Sequence, residues 1–499
     1  MRKPSRHRDR SRSSSSSSSA SIVSLAWLVA VVILNTVTIV TALPSSQWSQ
    51  SQVSRQLFDH GQSTMLSKRQ NSSSSSSSAA TRSQSTSLSQ QKANLIKQTL
   101  TRTANKSWEM GAHAQALLEL DYPSLAVFFS SYVPIPTSPI ATSVLDIVDL
   151  ALSQQEPGSL QIVPDGSAAD PASLGVAVVL SNWTNPNGEQ TRQRMATAAD
   201  NQLRALLQDT PRTQDGAISH RVEEVSLWSD FMYMVPPFLA YYGSINSNAS
   251  LIQQAYDQCR LYRQYLRTPE TGLWQHILFG QHPDPGLWAT GNAWAAGGMM
   301  RVYGTIVNSQ DFSNEFESQA KDLADWSLEI VENSFNIGFT NVNNGGRLLR
   351  NYLNESDSFG DATSTALLTG VVYRLAQFNQ LGTNEQELLQ QANQTRQFLY
   401  SQINSSNGIL SPVVDPLNFD QRLSTNSISP EGQAFVLLME SAFRDWIRMN
   451  DEPGQGGVVD SNGNDETSST TTLFKVEQGL VKRVVLIMLF VASLNWFVL

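Results

Sequence analysis

The chain has 499 residues, a formal net charge of −9, 40% hydrophobic residues and a single cysteine. That balance offers no basic face for nucleic acid, and one thiol, Cys259, excludes an internal disulfide framework, so the fold must be held by its core. Both ends are too biased in composition to bury much apolar surface, which leaves one large domain in the middle.

The first dozen residues carry six of the Lys and Arg residues, a serine run fills 13–19, and 22–43 is almost wholly apolar without a charge. Residues 1–43 therefore read as a signal peptide or a signal anchor, with Val40 and Ala42 suited to cleavage before Leu43. Residues 44–90 are rich in Ser and Gln and are expected to be a disordered leader. Lys68-Arg69 within it reads either as a dibasic processing site or as an ordinary basic pair in polar sequence.

At the other end, 450–483 reads as a flexible linker and 484–499 as an apolar tail. The tail fits a glycolipid-anchor signal, or a membrane segment flanked by Lys482 and Arg483. Seven N-x-S/T sequons, at Asn71, Asn105, Asn182, Asn248, Asn354, Asn393 and Asn404, agree with passage through a secretory pathway. The expected location is a cell surface or the extracellular space, with membrane contact through the terminal apolar segments. The sequence leaves the oligomeric state open.

Between 91 and 449 apolar residues recur at three and four spacings, as in Leu388, Ala392, Leu399 and Ile403, so the domain is expected to be all-α. Six apolar helices open on short motifs rich in Gly, Asp, Ser and Trp: "SWEMGAHAQALLEL" from 107, "ADPASLGVAVVLS" from 169, "LWSDFMYMVPPFLA" from 227, "WATGNAWAAGGMM" from 288, "GDATSTALLTGVVY" from 360 and "SPEGQAFVLLMES" from 429. More polar amphipathic helices lie between them. Six helical hairpins of this kind close into an (α/α)6 barrel, with an open helical solenoid as the alternative. Cys259 falls on an apolar helical stripe and reads as a buried structural thiol.

The chain has no H-E-x-x-H, C-x-x-C, G-x-S-x-G or phosphate-binding loop motif. Asp170, Asp361 and Ser429 suit helix capping. Caps do not account for Trp108, Trp228, Trp288 and Trp294, whose flat faces at one end of a barrel would make a platform for sugar rings, with packing between helices as the plainer reading. Asp170, Asp230, His220, Arg221 and His276 supply the equipment of acid/base chemistry on a carbohydrate. For Asp230, a buried helix-start Asp satisfied by backbone N–H groups is the alternative. No metal or other cofactor is called for; the expected partner is an oligosaccharide.

The motifs "WSDFMYMVPPFLA", "TGLWQH" and "WATGNAW", in that order, resemble the six-hairpin glycosidases, in particular the unsaturated rhamnogalacturonyl hydrolases of glycoside hydrolase family 105 and their relatives in family 88. The resemblance runs from Trp108 to Trp446 and implies hydration of the C4=C5 double bond of an unsaturated uronic acid at the end of a pectin fragment. It gives Asp230 the place of the catalytic Asp and Asp170 that of a second active-site Asp. Trp228, His276 and Arg221 take the places of substrate-contacting residues, and His220, Trp288, Trp294 and Asn292 complete the expected substrate-binding set. For Asp230 to act as acid and then base, an apolar surround and a nearby carboxylate are expected to push its pKa upward.

Thr290 stands where the bacterial enzymes carry an Arg, so recognition of an acidic sugar falls to Arg221 or Arg301, or the substrate differs. His113 and His282 are expected at the surface or in loops. Two other readings stand beside this one. An endo-α-1,6-mannanase-like enzyme would use adjacent aspartates, and the chain has no Asp-Asp pair. A non-catalytic carbohydrate-binding barrel would keep the aromatic rings and lose turnover.

Overall fold

The computed structural model describes residues 87–450 apart from 130–135, 137, 343 and 344. The segments expected to be a signal, most of the leader, the linker and the apolar tail lie outside the described residues. Among those described, no helix is long and apolar enough to cross a membrane.

Twelve α-helices occur among the described residues, and they alternate in character along the chain. The odd-numbered ones are α1 (Gln90–Thr103), α3 (Thr142–Ser153), α5 (Glu189–Arg204), α7 (Ala249–Leu266), α9 (Glu317–Ile337) and α11 (Glu385–Ser401). Each buries one stripe and wets the other, as Leu388, Ala392 and Leu399 do on α11. The even-numbered ones are α2 (Ser107–Asp121), α4 (Gly175–Thr184), α6 (Phe231–Ile245), α8 (Ala289–Val307), α10 (Ala362–Gln377) and α12 (Pro430–Asn450). α8 and α10 are buried around nearly their whole circumference. A helix apolar on all sides must be surrounded by others. Accordingly each even helix packs on the next, α12 returns to α2, and the ring closes as an (α/α)6 barrel.

The fold also takes in residues that composition assigns to the leader: Ser89 caps α1 by accepting the Lys92 N–H, and the Leu88 N–H reaches Glu440. Cys259 is buried on α7, as its stripe predicts. His113 does not lie at the surface. It is buried on α2 beside Thr101, 3.3 Å from its hydroxyl, and burial pushes its pKa down to about 4. An inner helix is covered on every side, so a polar residue in it gains no exposure from its type. His282 is exposed, in a loop.

Among the described residues seven short strands, which the helical periodicity does not announce, sit before the even helices. β1 (Ser226–Trp228) pairs antiparallel with β2 (Ile277–Phe279); β3 (Phe339–Asn341), β4 (Arg347–Arg350) and β5 (Gly360–Asp361) form a three-stranded ladder; β6 (Val414–Asp415) pairs with β7 (Asn418–Arg422). At two to five residues each, they are too short to show alternation.

Helix α6 carries Pro236 and Pro237 in its interior, which removes two N–H donors and costs about 3 kcal/mol or more per residue unless the freed carbonyls are met. The Tyr233 carbonyl, four residues before Pro237, accepts from Arg301 Nη1 at 3.1 Å. Met232, four before Pro236, lies against Gly298 of α8, where a Cβ would overlap its carbonyl oxygen. Arg301 is buried with its other nitrogen on Gln115 and its guanidinium over the Tyr233 ring, so it holds α6 and is no candidate for binding an acidic sugar. Gly298→Ala is expected to destabilise the domain by about 1–3 kcal/mol through overpacking. Gly297→Ala, whose methyl would sit 3.4 Å from the Tyr233 ring at ordinary van der Waals contact, is expected to be close to neutral. Urea unfolding midpoints of the two variants check the contrast.

Candidate active site

All six even helices begin at one mouth of the barrel, and each start contributes to a single cavity of about 290 Å³. Trp108 comes from α2, Asp170 from the 3-10 turn Asp170–Leu174 that leads into α4, and Trp228, Asp230 and Met234 from the start of α6. Trp288, Thr290 and Trp294 come from α8, Thr363 from α10, and Ser429 and Glu431 from α12. Pro416, Leu417 and Phe419 of the β6–β7 hairpin close one side. The four tryptophans singled out in the sequence therefore share one wall. The volume is near the lower end, about 300 Å³, of small-molecule sites.

Asp230 precedes α6 but takes no capping hydrogen bond from it, so a purely structural cap does not describe it. Its carboxylate receives the Ser229 hydroxyl at 3.3 Å, and its Oδ2 lies 3.4 Å from His276 Nε2. The β1–β2 ladder brings His276 there: the Ser229 N–H donates to the His276 carbonyl at 2.9 Å, and Trp228 pairs with Ile277. A tight return through Ile277 and Asp284 then sets the Asp284 carboxylate 2.9 Å from His276 Nδ1, where it also accepts the Tyr352 hydroxyl at 2.7 Å and the Gly286 N–H at 2.9 Å. The result is a row Asp284–His276–Asp230, with the imidazole fully buried between two carboxylates.

A second pair stands opposite. His220 Nε2 lies 3.3 Å from Asp170 Oδ1, and its ring lies flat on Trp228 at 4.8 Å between centroids. The Ala168 N–H on the His220 carbonyl, 2.8 Å, and the Ser167–Arg221 bridge hold the two segments together. Trp228 meets His276 edge-on at 5.6 Å, so one indole separates two imidazoles.

These contacts reverse one expectation. Burial pushes the Asp230 carboxyl up, but the hydrogen bond and charge of His276 and the charge of His220 outweigh it, and its pKa lies below the ordinary carboxylate value. Burial likewise pushes the His276 imidazole down, and the bonds and charges of Asp230 and Asp284 carry it above the ordinary imidazole value. Asp284 is held low by His276, Tyr352 and the Gly286 N–H against its own burial. The sequence showed the apolar neighbours of Asp230; it did not show that two histidines fold onto it.

Two expected binding residues are placed elsewhere. Asn292 is fully buried and its amide is committed to backbone: Oδ1 accepts the Trp274 N–H at 2.8 Å, and Nδ2 donates to the Trp274 and Trp288 carbonyls at 2.9 and 3.0 Å. It clamps the "TGLWQH" loop to the start of α8, and Gly291 beside it leaves room for the Ser229 hydroxyl, where a Cβ would overlap. His276 lies behind the cavity wall, against Trp288 at 4.4 Å and Phe419 at 4.5 Å, with its Nε2 toward Asp230.

Arg221 lines the cavity; among the described residues its guanidinium makes no hydrogen bond or ion pair, and it is the only Arg or Lys in the wall. The hydroxyls of Thr290 and Thr363, in the same wall, are buried without a partner. Such groups are normally satisfied by water or ligand. Glu431 was not singled out by the sequence, although its segment was. It is buried, with Oε1 accepting the Trp108 indole N–H and Oε2 the Ser429 hydroxyl at 3.1 Å. Burial and the charge of Glu109 push it up to about 7.

Asp284→Asn removes one of the two carboxylates that hold His276 high. Its imidazole is expected to titrate at lower pH in the variant, measured by proton NMR of the ring. Asp230 and Asp284, depressed on folding, contribute stability fully above their unfolded values near 4 and lose that contribution as pH falls through their folded values; His276, raised on folding, contributes fully below about 6.5 and loses it as pH rises through its folded value. The row therefore adds most stability between about pH 4 and 6.5, and the Asp284→Asn variant is expected to lose that advantage in pH-dependent denaturation.

Residues 177–328 match the model of Glycosyl Hydrolase Family 88. That stretch holds His220, Arg221, Trp228, Asp230, His276 and Trp288, and leaves Asp170 and Glu431 on either side. No curated protein sequence matches the chain. Among solved structures, a protein of Salmonella enterica serovar Paratyphi A, described as a possible member of glycoside hydrolase family 105, is 15% identical with a TM-score of 0.53, over 70% of this chain and 92% of its own. A family 105 glycoside hydrolase of C. acetobutylicum is 13% identical with a TM-score of 0.52, over 70% and 99%. A polysaccharide lyase is 12% identical with a TM-score of 0.51, over 73% and 99%. The chain is thus similar to glycoside hydrolase family 88 over residues 177–328 and shares the six-hairpin fold of these structures. Because a lyase shares that fold, the chemistry has to be read from the cavity.

Proposed function

From the match to the family 88 model over residues 177–328 and the six-hairpin barrel, we propose that this protein hydrates the C4=C5 double bond of an unsaturated uronic acid at the non-reducing end of a pectin-type oligosaccharide, releasing the neighbouring sugar. The observation that carries the reading is Arg221, a cation whose guanidinium has no protein partner among the described residues, lining the same cavity as Asp230. A uronic carboxylate supplies the charge that Arg221 lacks, in a wall that otherwise offers indole faces and unpaired hydroxyls for a sugar ring. With the sugar so held, the C5 end of the double bond is presented to Asp230, whose ionised carboxylate draws the proton from the attacking water. The hemiketal formed at C5 opens and lets the next sugar go. With Thr290 where the bacterial enzymes carry an Arg, Arg221 is left as the carboxylate's partner.

The apolar segments at 22–43 and 484–499 support secretion and retention at a cell surface, where such oligosaccharides are met.

Incubation of the protein with lyase-generated pectin disaccharides should bleach their conjugated ultraviolet absorbance. Asp230→Asn is expected to lower kcat by about 10²–10⁴-fold. Arg221→Met is expected to raise KM about 10- to 100-fold, the loss of a hydrogen bond to a charged group, with a smaller effect on a substrate whose carboxylate is esterified. A wild type that bleaches no unsaturated uronide would overturn the reading.

A further inference from the structure

Hydration of a C4=C5 bond needs a proton at C4 as well as an oxygen at C5. Asp230 suits the water that attacks C5, because it lines the cavity with His276 Nε2 3.4 Å from its Oδ2, a contact that keeps its carboxyl ionised and so able to take a proton. Of the three carboxylates in the cavity wall, Asp170 faces His220, Asp230 faces His276, and only Glu431 has no cation in hydrogen-bond or ion-pair contact. We propose that Glu431 is the proton donor of this active site, acting across the cavity from Asp230 as its base.

Glu431 is the second residue of α12, 3% exposed, and shares the cavity wall with Asp230. Both of its hydrogen-bond partners, the Trp108 indole and the Ser429 hydroxyl, are neutral donors. Ser429 Oγ already accepts the Gly432 N–H at 3.0 Å, which turns its own hydrogen toward Glu431. The charged groups around it favour the neutral acid. Glu109 on α2 repels a charge there, and Asp165, bonded to Ser107 at the start of that helix, is a further acid. Asp361 at the start of α10 is committed to the N–H groups of Thr363, Ser364 and Val414. On α1, Lys92 is engaged by the Tyr400 carbonyl. Glu440, Arg444 and Asp445 lie more than two turns down α12. Across the cavity stand Asp170, Asp230, His220 and Arg221.

The step rests on the double-bond hydration proposed above and balances as follows. The Glu431 O–H bond breaks as the electron pair of the double bond takes its proton at C4, leaving positive charge on C5 shared with the ring oxygen. Water adds to C5 through its oxygen and gives its proton to Asp230. Solvent then returns a proton to Glu431 and removes one from Asp230. This arrangement divides between two side chains the acid and base duties that one carboxyl would otherwise perform in turn.

The test is Glu431→Gln, which keeps an acceptor for the Trp108 indole and removes the acid. On an unsaturated disaccharide kcat is expected to fall about 10²–10⁴-fold with little change in KM. The decline of wild-type activity above pH about 7 should be missing from the residual rate. In infrared titration of the free protein, a carboxylic-acid carbonyl band should fade near pH 7 in wild type and be absent from the variant. An active wild type together with a variant within about threefold of its kcat, or the absence of such a band, overturns the donor role alone. A wild type inactive on every unsaturated substrate overturns the function and, with it, this step.

Discussion

The seam where the last inner helix meets the first is the contact on which the site depends. The Trp108 indole N–H on the Glu431 carboxyl joins residues 323 positions apart in the chain. Once α12 packs on α2, six helix starts face one another around a single mouth, and the cavity exists. No hairpin holds it alone. Six N-termini also bring six positive dipole ends to that mouth, which helps a wall containing three carboxylates to remain buried.

Inside the mouth the chemistry is set by how charge is paired at low dielectric. Trp228 lies flat on one imidazole and edge-on to the other, and the flanks of this row are carboxylates, so Asp170 and Asp230 each meet a histidine rather than one another. Such pairing keeps Asp230 ionised despite its burial. Glu431, served only by neutral donors and faced by Glu109, is driven the other way. Environments that separate the pKa values of two carboxylic acids in one cavity are what assign acid and base roles.

Much of the sequence signature turns out to support this geometry at one remove. In "WATGNAW", Gly291 and Asn292 hold Ser229 and the "TGLWQH" loop in place, and the tryptophans line the wall. The Pro236-Pro237 pair requires Arg301, which is thereby unavailable to a ligand. Asp361 caps its helix as its residue type suggests, whereas Asp230, at a comparable helix start, does not.

Local pattern was enough to mark the six inner helices, their amphipathic partners and the candidacy of Asp170, Asp230, Trp228 and Arg221, with an open solenoid still standing beside the closed ring, because helical periodicity and helix-start chemistry are written within a few residues of one another. The sequence also held Glu431 and Asp284 in plain view, in "SPEGQ" and "GQHPDPG", without marking them. What separates a capping acid from a cavity acid, or a ligand-facing histidine from one behind the wall, is which side chains from other hairpins fold against it. Burial and charge pairing between residues hundreds of positions apart are settled only when the ring closes, so the lowered pKa of Asp230 and the raised pKa of Glu431 belong to the tertiary structure.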